Sequence, residues 1–567
     1  MPSSLSAPIQ MPVPQQVPVR RALLIASAVV LLVTLSAAQT IGSANTITAD
    51  PPIPHPSTTP CTIQLYSNFV FANFTPKTFQ YTPTCAGPWA KVILVATFSI
   101  NAGRQFDRTA NIWLGNTNIY FGTTAEPSHN VSRVWRIQRD ITDYGALLTT
   151  AQTGTVQLGN LVNSTYTSIL QGDAFVQFYP PDSMDPVPVT ADQVLPLNSS
   201  PGTAGLNTTT DQLAATFTLP TNIERAYLDV FSQSQSNDEF WYTCVPNDVA
   251  AELFSCGNTG FRESEVSIDG NPGGFAPVYP WIYTGGIDPY LWRPIPGVQT
   301  LNFVPYRVDL TPFAASLNDG NPHTVAVSVF NADSYFSVSA ALLIYQDHGS
   351  THVTGGLINN TLAAAPTPTV TENLVMVQGL PRGYVTVMSN RHSIVKGFVN
   401  TSHGKVVTSV EQTAYFTNRQ HFLLTPTLYV QDITQRTDIT ATTSTVDSAG
   451  THKMAVVQHW PLTVDISQVT NPDTTINQTT TINQSYQNAL TRSDNGTTSF
   501  WSVVSNTVSP SDTLEFDSSF NVLGNTGQAN TQTYNTSNST GYCYSRTLTA
   551  AGGVLTGVVK GQACSGH

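Results

Sequence analysis

Charge is scarce in this chain. Only 10% of its 567 residues are Asp, Glu, Lys or Arg, where an ordinary soluble domain carries roughly 25%. Positive charge is the scarcer kind: 23 Lys and Arg face 35 Asp and Glu, a net charge of −12. That balance excludes the basic stripe that tracks nucleic acid and adsorption to an anionic membrane surface. It suits a mildly acidic compartment, where fewer carboxylates ionise. Helical periodicity is nearly missing too. No Gly-x-Ser-x-Gly elbow, His-Glu-x-x-His helix or Cys-x2-Cys metal pair occurs, and the eleven histidines are scattered. No metal and no organic cofactor is expected. Apolar residues at 40% and aromatics at 10% are ample for real cores and exclude a disordered chain. The length leaves room for roughly three or four domains.

Long hydrophobic runs are also lacking, with one short exception. Arg20 and Arg21 precede an apolar run from Ala22 to Leu35, followed by Ser36, Ala37 and Ala38. A basic region, an apolar run and a small-residue site make a secretory signal. The run is shorter than the ~20 residues of a full span. Residues 1–38 are therefore expected to be a signal peptide or an uncleaved signal anchor. No other membrane contact is expected. Either reading sends the body into the secretory pathway, to be secreted, vacuolar or extracellular. Asn-x-Ser/Thr sequons agree, at Asn73, Asn130, Asn163, Asn198, Asn207, Asn359, Asn400, Asn477, Asn483, Asn495, Asn535 and Asn538. These are expected on the surface and glycosylated. The six cysteines fall into three local groups, Cys61 with Cys85, Cys244 with Cys256 and Cys543 with Cys564. An even count in an oxidising compartment favours disulfides, and nearest-neighbour pairing is expected because each bridge closes a short loop.

Strand patterning is everywhere. In "HTVAVSVFNA", Val325, Val327 and Val329 share one face, as in a sheet buried on one side. The architecture is expected to be all-β, built of sandwiches or jelly rolls. Composition sets the boundaries. The Pro-rich "ADPPIPHPSTTP" (49–60) makes 39–60 an extended linker. "PPDSMDPVPVTADQVLPLNSSPGTAG" (180–205) separates a first β unit, 61–200, from a second, 205–350. "AAAPTPTVTENL" (363–374) precedes a Thr-rich C-terminal β region, 375–567. Its duplication "TTINQTTTINQS" (474–485) reads as a hairpin or loop.

"FDRTANIWLGNTNIYFGTTAEP" (106–127) concentrates what charge there is. Read as a strand, Ala110, Ile112 and Leu114 share one face, and Asp107, Thr109, Asn111 and Trp113 the other. A carboxylate, an amide and an indole suit a sugar. The same pattern fits an Asp107–Arg108 pair at a strand start, with Trp113 in a second core.

With "VWRIQRDITDYGALL", "VQLGNLVN", "NDEFWYTCVPND" (237–248), "CGNTGFRESEVSIDG" (256–270), "YPWIYTGGIDPYLWRPIPG" (279–297) and "YRVDLTPF" (306–313), this stretch resembles the acidic peptide:N-glycanases of plants and fungi, the peptide-N4-(N-acetyl-β-glucosaminyl)asparagine amidase A family. The resemblance runs in order from about Cys61 to about Gln346. A weaker one is to the bacterial peptide:N-glycanase F type. Its catalytic aspartate opens an Asp-Arg-x-Ala-Asn strand similar to residues 107–111, and its second jelly roll begins with a stretch similar to "LPTNIERAYL" (219–228).

These resemblances imply two jelly-roll sandwiches packed side by side, with the site at their interface, plus the C-terminal β region. They imply an amidase that cleaves the bond between an asparagine side chain and the first N-acetylglucosamine of N-glycosylated peptides or denatured glycoproteins. Asp107 is the implied catalytic residue. Arg108 and Arg293 are expected to stabilise the oxyanion or lower a neighbour's pKa. The bacterial type has a glutamate where this chain has Asn258, so a second carboxylate must come from elsewhere. Glu239, Glu263 and Glu126 are the candidates, and Glu239 is preferred, because two adjacent acids beside aromatics fit a sugar-binding loop. Asn111, Trp113, Glu126, Asn258, Glu263 and Trp292 are expected to bind substrate. The rival reading is a β protein that binds carbohydrate without catalysis.

Overall fold

Alternation builds this fold. Val325, Val327 and Val329 are all buried, and each neighbours a residue of the opposite face. The computed structural model describes residues 40–564; the signal expected at 1–38 lies outside the described residues.

Residues 61–179 form β1 (Cys61–Phe71), β2 (Lys77–Tyr81), β3 (Lys91–Ile100), β4 (Thr109–Leu114), β5 (Thr117–Thr123), β6 (Arg133–Asp140), β7 (Gln152–Gln157) and β8 (Leu170–Tyr179). They pair into two antiparallel sheets, β1-β8-β3-β6 and β2-β7-β4-β5. Ile63, Val92 and Leu94 of the first sheet and Ile112 and Val156 of the second share one core.

The next stretch holds β9 (Gln193–Pro196), β10 (Ala204–Leu206), β11 (Leu213–Thr218), β12 (Ile223–Gln235), β13 (Glu263–Ile268), β14 (Asn271–Pro277), β15 (Tyr306–Asp309), β16 (Pro322–Phe330) and β17 (Tyr335–Gln346). Its sheets run β10-β17-β12-β15, with β9 also on β17, and β11-β16-β13-β14. Leu228, Val230, Val266 and Val327 belong to its core.

The remainder is one antiparallel sheet of eleven strands. They are β18 (Thr354–Asn360), β19 (Thr369–Val377), β20 (Leu380–Thr401), β21 (Gly404–Thr425), β22 (Leu428–Asp447), β23 (Gly450–Thr470), β24 (Ile476–Asp494), β25 (Thr497–Phe516), β26 (Val522–Asn538), β27 (Cys543–Ala551) and β28 (Val554–Lys560). A typical strand has about 5–6 residues; β20 and β21 each have 22. Tight hairpins make such arms possible. At Asn495-Gly496 both residues have positive φ, 51° and 82°, as a type I′ turn requires. One face of the sheet, including Val387, Phe416, Ile433, Trp460 and Ile482, joins the core of the second set of strands.

Three expectations need correction. The 474–485 duplication lies almost wholly within the single strand β24. A six-residue repeat is even, so it returns the same residue types to the same face. The Pro-rich linker does not stand off the body. Ala49 is fully buried, its amide donates to Gln532 Oε1 at 2.7 Å, and Ile47 N donates to Pro294 O at 3.0 Å. Asn198 is buried rather than a surface glycan acceptor. Its Nδ2 donates to Gly202 O and Val338 O, so the nitrogen that would carry a sugar is already engaged. The other sequon asparagines are exposed or half-exposed. The cysteines form three local bridges, Cys61–Cys85, Cys244–Cys256 and Cys543–Cys564.

Candidate active site

A hairpin sets the first two groups. Asp107 and Arg108 precede β4, Glu126 follows β5, and the antiparallel register Thr109↔Thr123 brings these ends together. Thr124 N donates to Arg108 O at 2.7 Å, and Arg108 N donates to Thr124 Oγ1 at 2.9 Å. Two acidic residues 19 positions apart therefore share one edge.

Residues 278–305 join β14 to β15 without a strand. A segment this long inside a compact fold is usually functional. It comes down on the hairpin edge. Thr284 Oγ1 donates to Thr124 O at 2.7 Å, and Gly285 N donates to Asp107 Oδ2 at 3.0 Å. A Cβ at position 285 would lie 2.4 Å from Asp107 Oδ1, so any other residue there displaces that carboxyl. Arg293 Nη2 donates to Glu126 Oε1 at 3.1 Å and to Pro127 O at 2.7 Å.

The long sheet holds this segment with amides. Gln484 Nε2 donates to Pro280 O and its Oε1 accepts from Val298 N. Gln528 Nε2 donates to Tyr290 O and Arg293 O, and Asn530 Nδ2 to Leu291 O and Ile295 O. Buried backbone carbonyls need donors, and a neutral amide supplies one without the cost of burying a charge. Asp288 and Asp512 meet at the same junction. Asp288 Oδ2 and Asp512 Oδ1 are buried and have no donor from any other described residue, and the two carboxyl groups lie within hydrogen-bond reach. Burial and the Asp512 charge push the Asp288 carboxyl well up, so one proton is shared between them.

Glu239 closes the site, beyond β12 and the short turn Ser236–Asp238. Its neighbour Asp238 is structural: it pairs with Arg262 at 2.9 Å and accepts the amides of Asp333 and Ser334. Among the described residues the Glu239 carboxyl has no hydrogen-bond or ion-pair partner. Burial and then the charge of Asp107 push it up to about 7. Burial and Asp107 push Glu126 up to about 8, with Arg293 opposing. Burial also raises Asp107, opposed by the Gly285 amide and Arg108. Burial lowers Arg108, opposed by Asp107. Among the described residues, the Nε atoms of Arg108 and Arg293 are buried donors without a partner. Among the described residues no group of three or more His, Cys, Asp or Glu is placed to hold a metal ion.

A family model described as peptide N-acetyl-beta-D-glucosaminyl asparaginase amidase A matches residues 51–363. The chain belongs to this family. A relative from Prunus dulcis, peptide-N4-(N-acetyl-beta-glucosaminyl)asparagine amidase A, is 34% identical over 396 residues, which cover 65% of this chain and 67% of that protein. PNGF-II, solved in C2 and P21 crystal forms, is 13% and 14% identical with a TM-score of 0.36 in each. Those matches cover 51% of this chain and 65% and 66% of the other chains.

Within this amidase A chain, Asp107, Arg108, Glu126, Glu239 and Arg293 surround one site; the other expected residues do not. Asn111 and Trp113 are buried. Asn118 Nδ2 donates to both Asn111 Oδ1 and Ser339 Oγ of β17, so this face is covered by the second set of strands rather than open to a sugar. Trp292 is buried and its Nε1 donates to Gly286 O at 2.9 Å, bracing the turn from within. Glu263 is buried against Arg391 of β20, which also binds Glu265 at 2.7 Å. Asn258 Nδ2 donates to Asn331 O at 2.7 Å, a loop contact. Sequence reasoning missed Gly285 and Arg133. The Gly-Gly pair in "YTGGID" was a signal for a close backbone approach. Arg133 is lowered to about 10 by burial and by Arg293, while Glu126 opposes.

Proposed function

We propose that the protein hydrolyses the amide joining an asparagine side chain to the first N-acetylglucosamine of N-glycosylated peptides or denatured glycoproteins. Membership of the amidase A family supports the reaction class. The observation that carries the assignment of roles is the buried Asp107 carboxyl beside two carboxyl groups that burial, and then its charge, push towards the protonated form. Environments that push neighbouring carboxyls apart divide the roles of base and acid.

Asp107 has an amide donor and an arginine, so it ionises first and acts as the general base. It takes a proton from water as the oxygen attacks the amide carbon. The unpartnered Arg108 Nε offers a donor to the developing oxyanion. Glu239, neutral below about pH 7, gives its proton to the departing nitrogen. The C–N bond breaks to leave a carboxylic acid and a glycosylamine, and the proton on Asp107 returns to Glu239 through solvent. Glu126, anchored by Arg293, binds sugar.

The strand orders β1-β8-β3-β6 with β2-β7-β4-β5, and β10-β17-β12-β15 with β11-β16-β13-β14, support a reading as two jelly rolls that meet at this site. In that reading the long sheet is a third unit that buttresses their loops. Bridged cysteines and exposed sequons support a secretory-pathway protein, whether secreted, vacuolar or extracellular.

Incubating a defined glycopeptide with the enzyme in heavy-oxygen water, then weighing the peptide, tests the reaction. An amidase leaves aspartate carrying the heavy oxygen. A glycosidase leaves asparagine with one sugar attached, and a binding protein leaves the glycopeptide unchanged; either outcome rejects the proposal.

A further inference from the structure

A cavity of about 1010 Å³ opens beside the site. One wall is the loop around residues 236–257. The other is made by hairpin tips of the long sheet, between β21 and β22, β23 and β24, and β25 and β26. Phe240, next to Glu239, and Ile287, two residues beyond Gly285, line it, so the groove is continuous with the catalytic segments.

Three of its apolar side chains are held in an unfavourable backbone conformation. Phe254, Ile287 and Phe520 have φ of 51°, 63° and 61°. For bulky or β-branched residues this region is an outlier, and such strain clusters at ligand clamps. Phe254 and Phe520 are also 76% and 61% exposed. The chain thus spends backbone strain to present two rings to solvent on opposite walls of one groove.

The rest of the lining fits those rings to sugar. Gln468 and Gln478 reach into it as a hydrogen-bonded pair. Among the described residues of the lining, Arg262 is the one cation, bound to Asp238, and Asp333 the one acid. Apart from that cation and that acid the lining is apolar side chains, amides and hydroxyls, a surface that suits hydroxylated rings better than a charged peptide or a phosphate. Hairpin tips also offer no continuous strand edge on which a peptide backbone could pair. The volume is at the upper end for ligand pockets, more than one sugar needs.

We propose that this groove binds the oligosaccharide of the substrate beyond its first sugar, with Phe254 and Phe520 as stacking platforms. This deepens the amidase reading and rests on it. The long sheet then has a second task besides bracing the 278–305 segment: it selects for the glycan.

The test compares wild type with the Phe254→Ser, Phe520→Ser double variant on two glycopeptides of one peptide sequence. One carries a full oligosaccharide and the other a single N-acetylglucosamine. The double variant is expected to raise KM for the full glycan by about tenfold, with kcat and thermal melting unchanged and the single-sugar substrate unaffected. No change with either substrate, or an equal change with both, overturns the proposal. A KM change that follows peptide length instead of glycan size also overturns it. Should wild type cleave neither substrate, the amidase reading fails separately. Binding of the free oligosaccharide then decides: binding by wild type and not by the double variant supports the groove, and no binding by wild type overturns it.

Discussion

Gly285 N lies 3.0 Å from Asp107 Oδ2, although the two residues are 178 positions apart in the chain. The contact aims the carboxylate and favours its charged form. A side chain at position 285 would crowd this carboxyl. Gly285→Ala pushes a methyl group against Asp107 and breaks the hydrogen bond. A hydrogen bond to a charged group is worth about 1.5–3 kcal/mol, so kcat is expected to fall roughly 10- to 100-fold, with melting temperature lowered by a few degrees. Steady-state kinetics and thermal melting check it.

The carboxyl groups set a pH profile. Glu239 must hold a proton to serve as the acid, and its carboxyl sits at about 7. Activity is expected to fall as pH rises through about 7, and Glu239→Gln to lose most of kcat. The stability sign follows from linkage. Glu239 and Glu126 are raised above the ordinary value of 4.5, so between about 4.5 and 8 the folded state binds more protons than the unfolded state. Stability therefore declines with pH across that window. Melting temperature measured from pH 5 to pH 8 is expected to drop, and to drop less in Glu239→Gln.

Asp288 and Asp512 add a second slope of the same sign. Their buried oxygens share a proton that alkaline pH removes, leaving two charges together. Asp512→Asn supplies an amide donor to Asp288 in place of that proton and keeps an acceptor for Asn525. The variant is expected to melt at a temperature less dependent on pH between 6 and 9 than wild type. Parallel curves reject the shared proton.

Glu263 separates a structural role from a binding role. Arg391 lies between it and Glu265, tying β13 to β20. Glu263→Gln weakens a buried ion pair without leaving an unpaired charge, since Arg391 keeps Glu265. The expected result is a melting temperature lowered by a few degrees with KM for glycopeptide unchanged. A large rise in KM at constant stability returns Glu263 to the substrate.

How much of this was legible depended on distance along the chain. Asp107, Arg108 and Glu126 lie in one stretch that a hairpin joins, so their nearness was local, while the roles expected of Asp107 and Glu126 came from the resemblance. Strand alternation was equally local, and the β character followed. Asn111 and Trp113 were misread because alternation separates two faces without saying what covers each; here β17 covers the second. Gly285 was missed because its reason for being glycine is an atom brought from far away. Nothing in the sequence set the amides of β24 and β26 apart from solvent-facing ones. Gln484 and Asn530 are instead buried donors to the loop that shapes the site. That use of amides is also where the scarcity of charge finds its physical sense.

The central claim is that Asp107 performs the chemistry. Asp107→Asn keeps the size of the side chain and an acceptor for the Gly285 amide while removing the base. With a defined glycopeptide at mildly acidic pH, the variant is expected to bind substrate and melt as wild type does, with turnover reduced at least about 1,000-fold. Turnover at the wild-type rate in a folded Asp107→Asn protein would contradict the account.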